Sequence, residues 1–154
     1  MKELQKIKLS GAEVFPLVEG GKGINGTDGK SSGAWAKEGG VGTISMVSPT
    51  ALDKNGHEIP ELFKEKIREK RHREMVEYAI KGGISQAQIA HEIAGGNGRI
   101  HINMLWEMAD SEEVITRVLE GAKGLIHGVT CGAGLPYNLG AIASAHGVYY
   151  YPIV

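Results

Sequence analysis

Residues 124–154, GLIHGVTCGAGLPYNLGAIASAHGVYYYPIV, hold two strand-like runs with a helix-like stretch between them. The first run, GLIHGVTCG (124–132), is apolar and bounded by glycine. The second, VYYYPIV (148–154), consists mainly of β-branched and aromatic types, which fit a pleated and at least half-buried surface. LPYNLGAIASAHG (135–147) is predicted to start as a helix around Pro136 and to stop at Gly147. A strand, a helix and the next strand within about 25 residues is the pitch of a compact βα unit.

The same reading extends towards the N-terminus. RIHINMLW (99–106), VGTISMV (41–47) and EVFPLVEGG (13–21) are further strand candidates. Between them lie SSGAWAKEGG (31–40), with Ser31 and Ser32 as N-caps and Gly39 as a stop, and DSEEVITRVLEGA (110–122), capped by Asp110 or Ser111. A long helix is predicted from Pro60 through residue 83, with Phe63, Ile67, Met75, Ala79 and Ile80 near one face. It is expected to continue past Gly82-Gly83. Strand and helix thus alternate throughout, which implies a parallel sheet with right-handed crossovers. Two architectures satisfy that pattern. One is an open doubly wound sheet; the other is a (β/α)8 barrel, which needs about 250 residues and is here represented by about five of its eight strands. Length favours the open sheet, and the halt on strand-like residues favours the barrel.

Composition narrows the function classes. With 23% charged residues and a net charge of -1, the chain lacks the basic excess of a nucleic-acid binder. Cys131 is the single cysteine, so an intramolecular disulfide and a thiolate-rich metal site are excluded, and a cytoplasmic setting is expected. No apolar run approaches the roughly 20 residues that cross a bilayer, and MKELQKIKLSG lacks the apolar centre of a signal peptide. GGKGINGTDGK (20–30) does not have the spacing of a phosphate loop. His127 and Cys131, four residues apart along a strand, stand about 13 Å apart and form no nucleophile pair. The six histidines show no metal-ligand spacing, and KEKIREKRHRE (64–74) reads as an exposed helix face with i,i+4 pairs. His101 and His127 are expected to be hydrogen-bonded strand residues. On the third strand candidate, His101, Asn103 and Leu105 share one face while Ile100, Ile102 and Met104 share the other. Trp106, at that strand's C-terminal end, is the tryptophan better placed to meet a ligand; Trp35 is expected to pack its helix on the sheet.

GGVGTISM (39–46) following SSGAWAKE, RIHINMLWEM (99–108) and residues 124–154 together resemble the nitronate monooxygenase (2-nitropropane dioxygenase-like) family. Members are FMN-dependent (β/α)8 TIM barrels, with flavin-dependent enoyl reductases as near relatives. The resemblance implies that residues 1–154 are the N-terminal part of a single FMN-binding domain, about the first five strands with outer helices. It further implies oxidation of alkyl nitronates with dioxygen by the intact enzyme; the shorter chain alone is expected to lack the activity. By the same resemblance, Gly20, Gly21 and Lys22 lie along the flavin, with Lys22 where methionine is common. Asn103 matches an asparagine that hydrogen-bonds the cofactor, and Thr130 and Gly132 line the same rim. A helix starting near Pro136 aims its amides at that rim. No residue matches the catalytic histidine or the phosphate-binding loops, so no catalytic base is assigned. The partners implied are a small-molecule substrate, neither nucleic acid nor membrane, and further copies of the chain joined through exposed strand edges. The rival readings are an enoyl reductase-like enzyme and a non-enzymatic half-barrel that self-associates.

Overall fold

The computed structural model describes residues 4–108 and 110–153; Val154, counted above in the last strand, lies outside them. The elements run β1 (Ile7–Leu9), β2 (Ala12–Val14), α1 (Gly29–Lys37), β3 (Val41–Ser45), α2 (Arg68–Ala94), β4 (Arg99–Leu105), α3 (Ser111–Gly121), β5 (Gly128–Gly132), α4 (Leu139–Ala145) and β6 (Tyr149–Pro152). β3, β4, β5 and β6 form a parallel sheet in chain order, and β1 pairs with β2 as an antiparallel hairpin.

The strand expected at 13–21 is divided. β2 ends at Val14, and Pro16, which has no N–H to give a ladder, follows two residues later. Val18 then makes a single parallel bridge to Val41, extending the sequential order by one short segment. Glu19 prolongs that edge in an unusual way. Its N–H donates to the Val41 carbonyl at 2.8 Å, and its buried carboxylate accepts from the Thr43 N–H at 2.8 Å, where a further strand carbonyl would otherwise stand.

Side chains alternate across the sheet with period two. Ile44, Met46, Ile100, Ile102, Met104, Val129 and Cys131 point into one apolar core with residues of all four helices, among them Ala36, Ile80, Ile115, Val118 and Leu139. Burying each isoleucine, leucine or methionine contributes about 1.5–3 kcal/mol. The opposite face carries two rows set by register. Thr43, His101, Gly128 and Tyr149 form one row; Ser45, Asn103, Thr130 and Tyr151 form the next towards the strands' C-terminal ends. A doubly wound sheet is covered by helices on both faces. Here the helices join a single core on one face, and the other face is polar.

Helix boundaries correct the expectations in three places. α1 begins at Gly29, capped by Asp28, whose side chain accepts from the Ser31 N–H at 2.8 Å. Ser31 completes that capping box and Ser32 is buried, so neither is the N-cap. α2 starts at Arg68 and not at Pro60. The Ile59 N–H is already bound to the Ala51 carbonyl, its own carbonyl accepts from the Tyr78 hydroxyl at 2.9 Å, and Phe63 meets the Tyr78 ring edge-on. Those contacts hold the segment extended across the helix. α4 begins three residues beyond Pro136, at Leu139.

α2 runs unbroken through Gly82-Gly83, as expected, because both glycines serve packing. A Cβ on Gly82 would overlap the Pro49 carbonyl oxygen, and one on Gly83 would stand 2.6 Å from the Met46 methyl. The basic face of α2 is exposed and braced to α3: Arg73 reaches Glu113 with both guanidinium nitrogens at 2.7 Å, and Arg117 reaches Glu77 at 2.6 and 2.8 Å. Exposed pairs of this kind contribute little individually. Among the described residues, no helix is long and apolar enough to cross a membrane.

Candidate functional site

The polar face of the sheet has two ends with different chemistry. At the N-terminal end sits the β1–β2 hairpin, which the sequence reading did not anticipate. Its turn places Ser10 and Gly11 at φ 47° and 79°, the left-handed region that a tight hairpin turn requires. Ser10 Oγ lies 2.8 Å from both His101 Nε2 and the Tyr151 hydroxyl, and the Ser10 carbonyl accepts from Arg99 Nε at 2.8 Å. Tyr151 stacks on the His101 ring with centroids 5.1 Å apart. His127 is satisfied differently, its Nδ1 accepting from the Ile100 N–H. Both histidines are hydrogen-bonded, as expected; His101 is a strand residue, whereas His127 lies just before β5.

This environment holds His101 neutral. Burial, with the charges of His127 and Arg99 adding to it, pushes its pKa down to about 4. The unfolded chain takes up the proton more readily, so the neutral ring favours folding fully above pH ~6.5. That contribution is lost as pH falls from about 6.5 towards about 4. Unfolding free energy is expected to fall by roughly 3 kcal/mol more across this window in the native chain than in His101→Gln. Denaturant titrations at pH 7, 5.5 and 4 measure it; equal slopes in the two proteins would exclude the effect.

At the C-terminal end lie the residues singled out from the sequence. Gly21 sits directly against Asn103: a Cβ there would overlap the Asn103 Cβ and stand 2.7 Å from Cγ and 2.9 Å from Nδ2. On the other side, the Thr130 hydroxyl donates to Asn103 Oδ1 at 3.0 Å, the two residues being register partners on β5 and β4. Gly21, Asn103 and Thr130 therefore form one contiguous group. Gly132 is one register step further along, paired with Leu105 and flanked by Ile153. Gly20 is exposed, with nothing within 4 Å of a Cβ placed on it.

Lys22 turns away from this group. Its side chain lies over Gly26, and its N–H donates to Thr27 Oγ1 at 3.1 Å within a compact turn. That turn is tied to the rim of β3 by the Ser45 N–H to the Thr27 carbonyl and by the Asn25 N–H to the Val47 carbonyl, both 2.9 Å.

Three further placements correct the reading. Trp106 packs against the apolar core and does not face the polar side, as its even place in the strand's alternation dictates. Trp35, expected between helix and sheet, is 41% exposed. α4 has seven residues, its Asn138 cap makes no side-chain hydrogen bond, and it starts later than an amide array aimed from Pro136 requires. Sequence reasoning also missed Thr43 and Ser45, which join the polar face beside His101 and Asn103. Their signal was available: in VGTISMV they alternate with Gly42, Ile44 and Met46. The Thr43 hydroxyl is buried without a hydrogen-bond partner among the described residues. Compared with protein-family models and with curated proteins, the chain matches none.

Proposed function

We propose that this chain forms the flavin-facing wall of an FMN-dependent barrel oxidoreductase, a cytoplasmic enzyme that oxidises alkyl nitronates with dioxygen. The observation that carries the reading is the meeting of Gly21, Asn103 and Thr130 at the C-terminal end of a parallel sheet, the end where barrel enzymes hold their sites. Helices on one face only, with sequential strand order, support the segment of a barrel wall.

The residues present fit a flat ring. Gly21 has no side chain to come between its backbone and Asn103, so the two lie together as one surface. Asn103 offers an amide end not engaged by Thr130. When bound, FMN supplies the electron acceptor for the carbon acid and passes electrons on to dioxygen. The chain's own residues bind and orient. His101 is not a general base in this reading, because its Nε2 is engaged by Ser10 and its ring is covered by Tyr151. Gly20 and Gly132 would border the ring without touching it.

The contacts assigned here are to the ring, and Lys22, the one cation among the six site residues, turns to its own loop. FMN and riboflavin are therefore expected to bind with similar, weak affinity, and Asn103→Ala to weaken both. Equilibrium dialysis of the full chain against each flavin tests this; no saturable binding of either would overturn the reading. A self-associating, non-enzymatic module is the second reading. It draws on β6, which pairs only with β5 among the described residues and leaves Tyr149 and Ile153 exposed. Sedimentation velocity over a concentration series, read at protein and flavin wavelengths, separates association from flavin binding.

A further inference from the structure

We infer that Thr130 is a positioning residue that fixes which end of the Asn103 amide faces the site, so that the ligand must present a hydrogen-bond acceptor there. The inference rests on the reading of Asn103 as a ring contact and adds the polarity of that contact. A primary amide has one accepting and one donating end, and a free asparagine exposes either by turning over.

Here the two ends have different surroundings. The Thr130 hydroxyl lies 3.0 Å from Asn103 Oδ1, closer than the 3.3 Å to the Ile102 carbonyl, its other acceptor. With the amide turned over, Nδ2 would donate to Thr130 Oγ1 and the hydroxyl proton would go to the longer Ile102 contact, so it is the shorter distance that favours the amide oxygen. Threonine is β-branched and sits inside β5, so its rotamer is restricted and the hydroxyl is held in place. Register sets Thr130 directly opposite Asn103, so the donor is supplied by the sheet itself and not by a mobile loop. Nδ2 lies at the opposite end, beside the bare backbone of Gly21. The group presented alongside Gly21 is therefore an N–H2, which recognises a carbonyl oxygen or an imine-type ring nitrogen. A ligand offering an N–H at that point is disfavoured, because two donors would face each other.

The test begins without any flavin. In 15N-labelled native chain, the Asn103 side-chain amide is expected to be rigid, with both of its protons exchanging readily with water. Thr130→Ser keeps the hydroxyl and is expected to keep that rigidity; Thr130→Val removes the donor and is expected to leave the amide mobile. An amide equally ordered in Thr130→Val, or one amide proton of the native chain protected from exchange, would overturn the inference. The second arm uses riboflavin. Thr130→Val is expected to weaken its binding about tenfold and Thr130→Ser less than about twofold, the span of one neutral hydrogen bond. Asn103→Asp, which retains the acceptor for Thr130 but loses the donor, is expected to bind no riboflavin. Native-like binding by Asn103→Asp would overturn the polarity. A native chain that binds no flavin but shows the expected amide behaviour would remove the flavin reading and leave the positioning role standing.

Discussion

Gly42→Ala is expected to lose most of the protein's stability or to fail to accumulate in soluble form. Gly42 is buried in the second position of β3, paired with Ile100 on the neighbouring strand. A Cβ there would overlap the carbonyl group of Ser32 and stand 2.5 Å from its Cα. All of these are backbone atoms of α1, so no rotamer change relieves the overlap. The helix cannot slide either. Its first turn is fixed by the Asp28–Ser31 capping box, and the Gly29 N–H donates at 2.8 Å to Gln86 Oε1, itself buried in α2. Accommodating one methyl therefore means lifting α1 off the sheet, with loss of packing around Ala36 and strain along α2. Overpacking a tight core costs typically 1–3 kcal/mol and more where the obstacle is rigid, against a total of about 5–15 kcal/mol for a domain. A loss at or above the upper end of that range is expected, read as a lowered urea midpoint or as insoluble protein. Gly20→Ala, with open space around its new Cβ, is the control and should unfold like the native chain. Equal midpoints for Gly42→Ala and the native chain would show that α1 does not sit on β3 as described.

Gly21→Ala is expected to act mainly on the site, with a smaller loss of stability than Gly42→Ala. Gly21 lies in a loop and is half-buried, and its backbone is not in the left-handed region, so alanine brings no conformational strain. The new methyl collides instead with the Asn103 side chain, which Thr130 holds from the opposite side. Asn103 Cβ is fixed by the β4 backbone and no rotamer change removes it from the methyl's path, so the Gly21 loop must lift away from β4 and leave the asparagine without its neighbour. Riboflavin binding is expected to weaken by at least about tenfold, the equivalent of one lost hydrogen bond before any steric exclusion is counted. Because a loop and not the sheet gives way, the loss of stability is expected to stay below that of Gly42→Ala, at about 1–3 kcal/mol. The two measurements are made on one preparation. Native binding by Gly21→Ala would remove this loop from the site.

The sheet was legible because its period is local. Ile100, Ile102 and Met104 alternate with His101, Asn103 and Leu105, and that alternation alone put the two sets on opposite faces of the sheet. The same rule, applied to Thr43 and Ser45 or to Trp106, would have placed them correctly. What stayed illegible depends on distant partners. Three-residue strands such as β1 and β2 are too short to show a period, and only the Ser10-Gly11 pair hinted at a turn. The start of α2 was displaced because Ile59 bonds to Ala51 and Tyr78, contacts that no helical propensity around Pro60 reveals. In the site, Asn103 and Thr130 were found through strand position and resemblance. The direction taken by Lys22 was not, since it is decided inside its own turn by Thr27 and Gly26.

The Ser10 turn also orders events in time. Its partners stand 89, 91 and 141 residues away along the chain, on β4 and β6. Contacts of such separation carry the loop-closure entropy of almost the whole polypeptide and slow the search for the native arrangement. The contacts to Arg99 and His101 need only β4, whereas the one to Tyr151 also needs β6 in place beside β5. The hairpin is thus expected to complete its docking late, and its departure to leave the rest of the sheet assembled. Each departure would bare His101 and Tyr151 to water while β3 to β6 remain paired. A nearly folded chain and a folded one would differ at this one seam around Ser10.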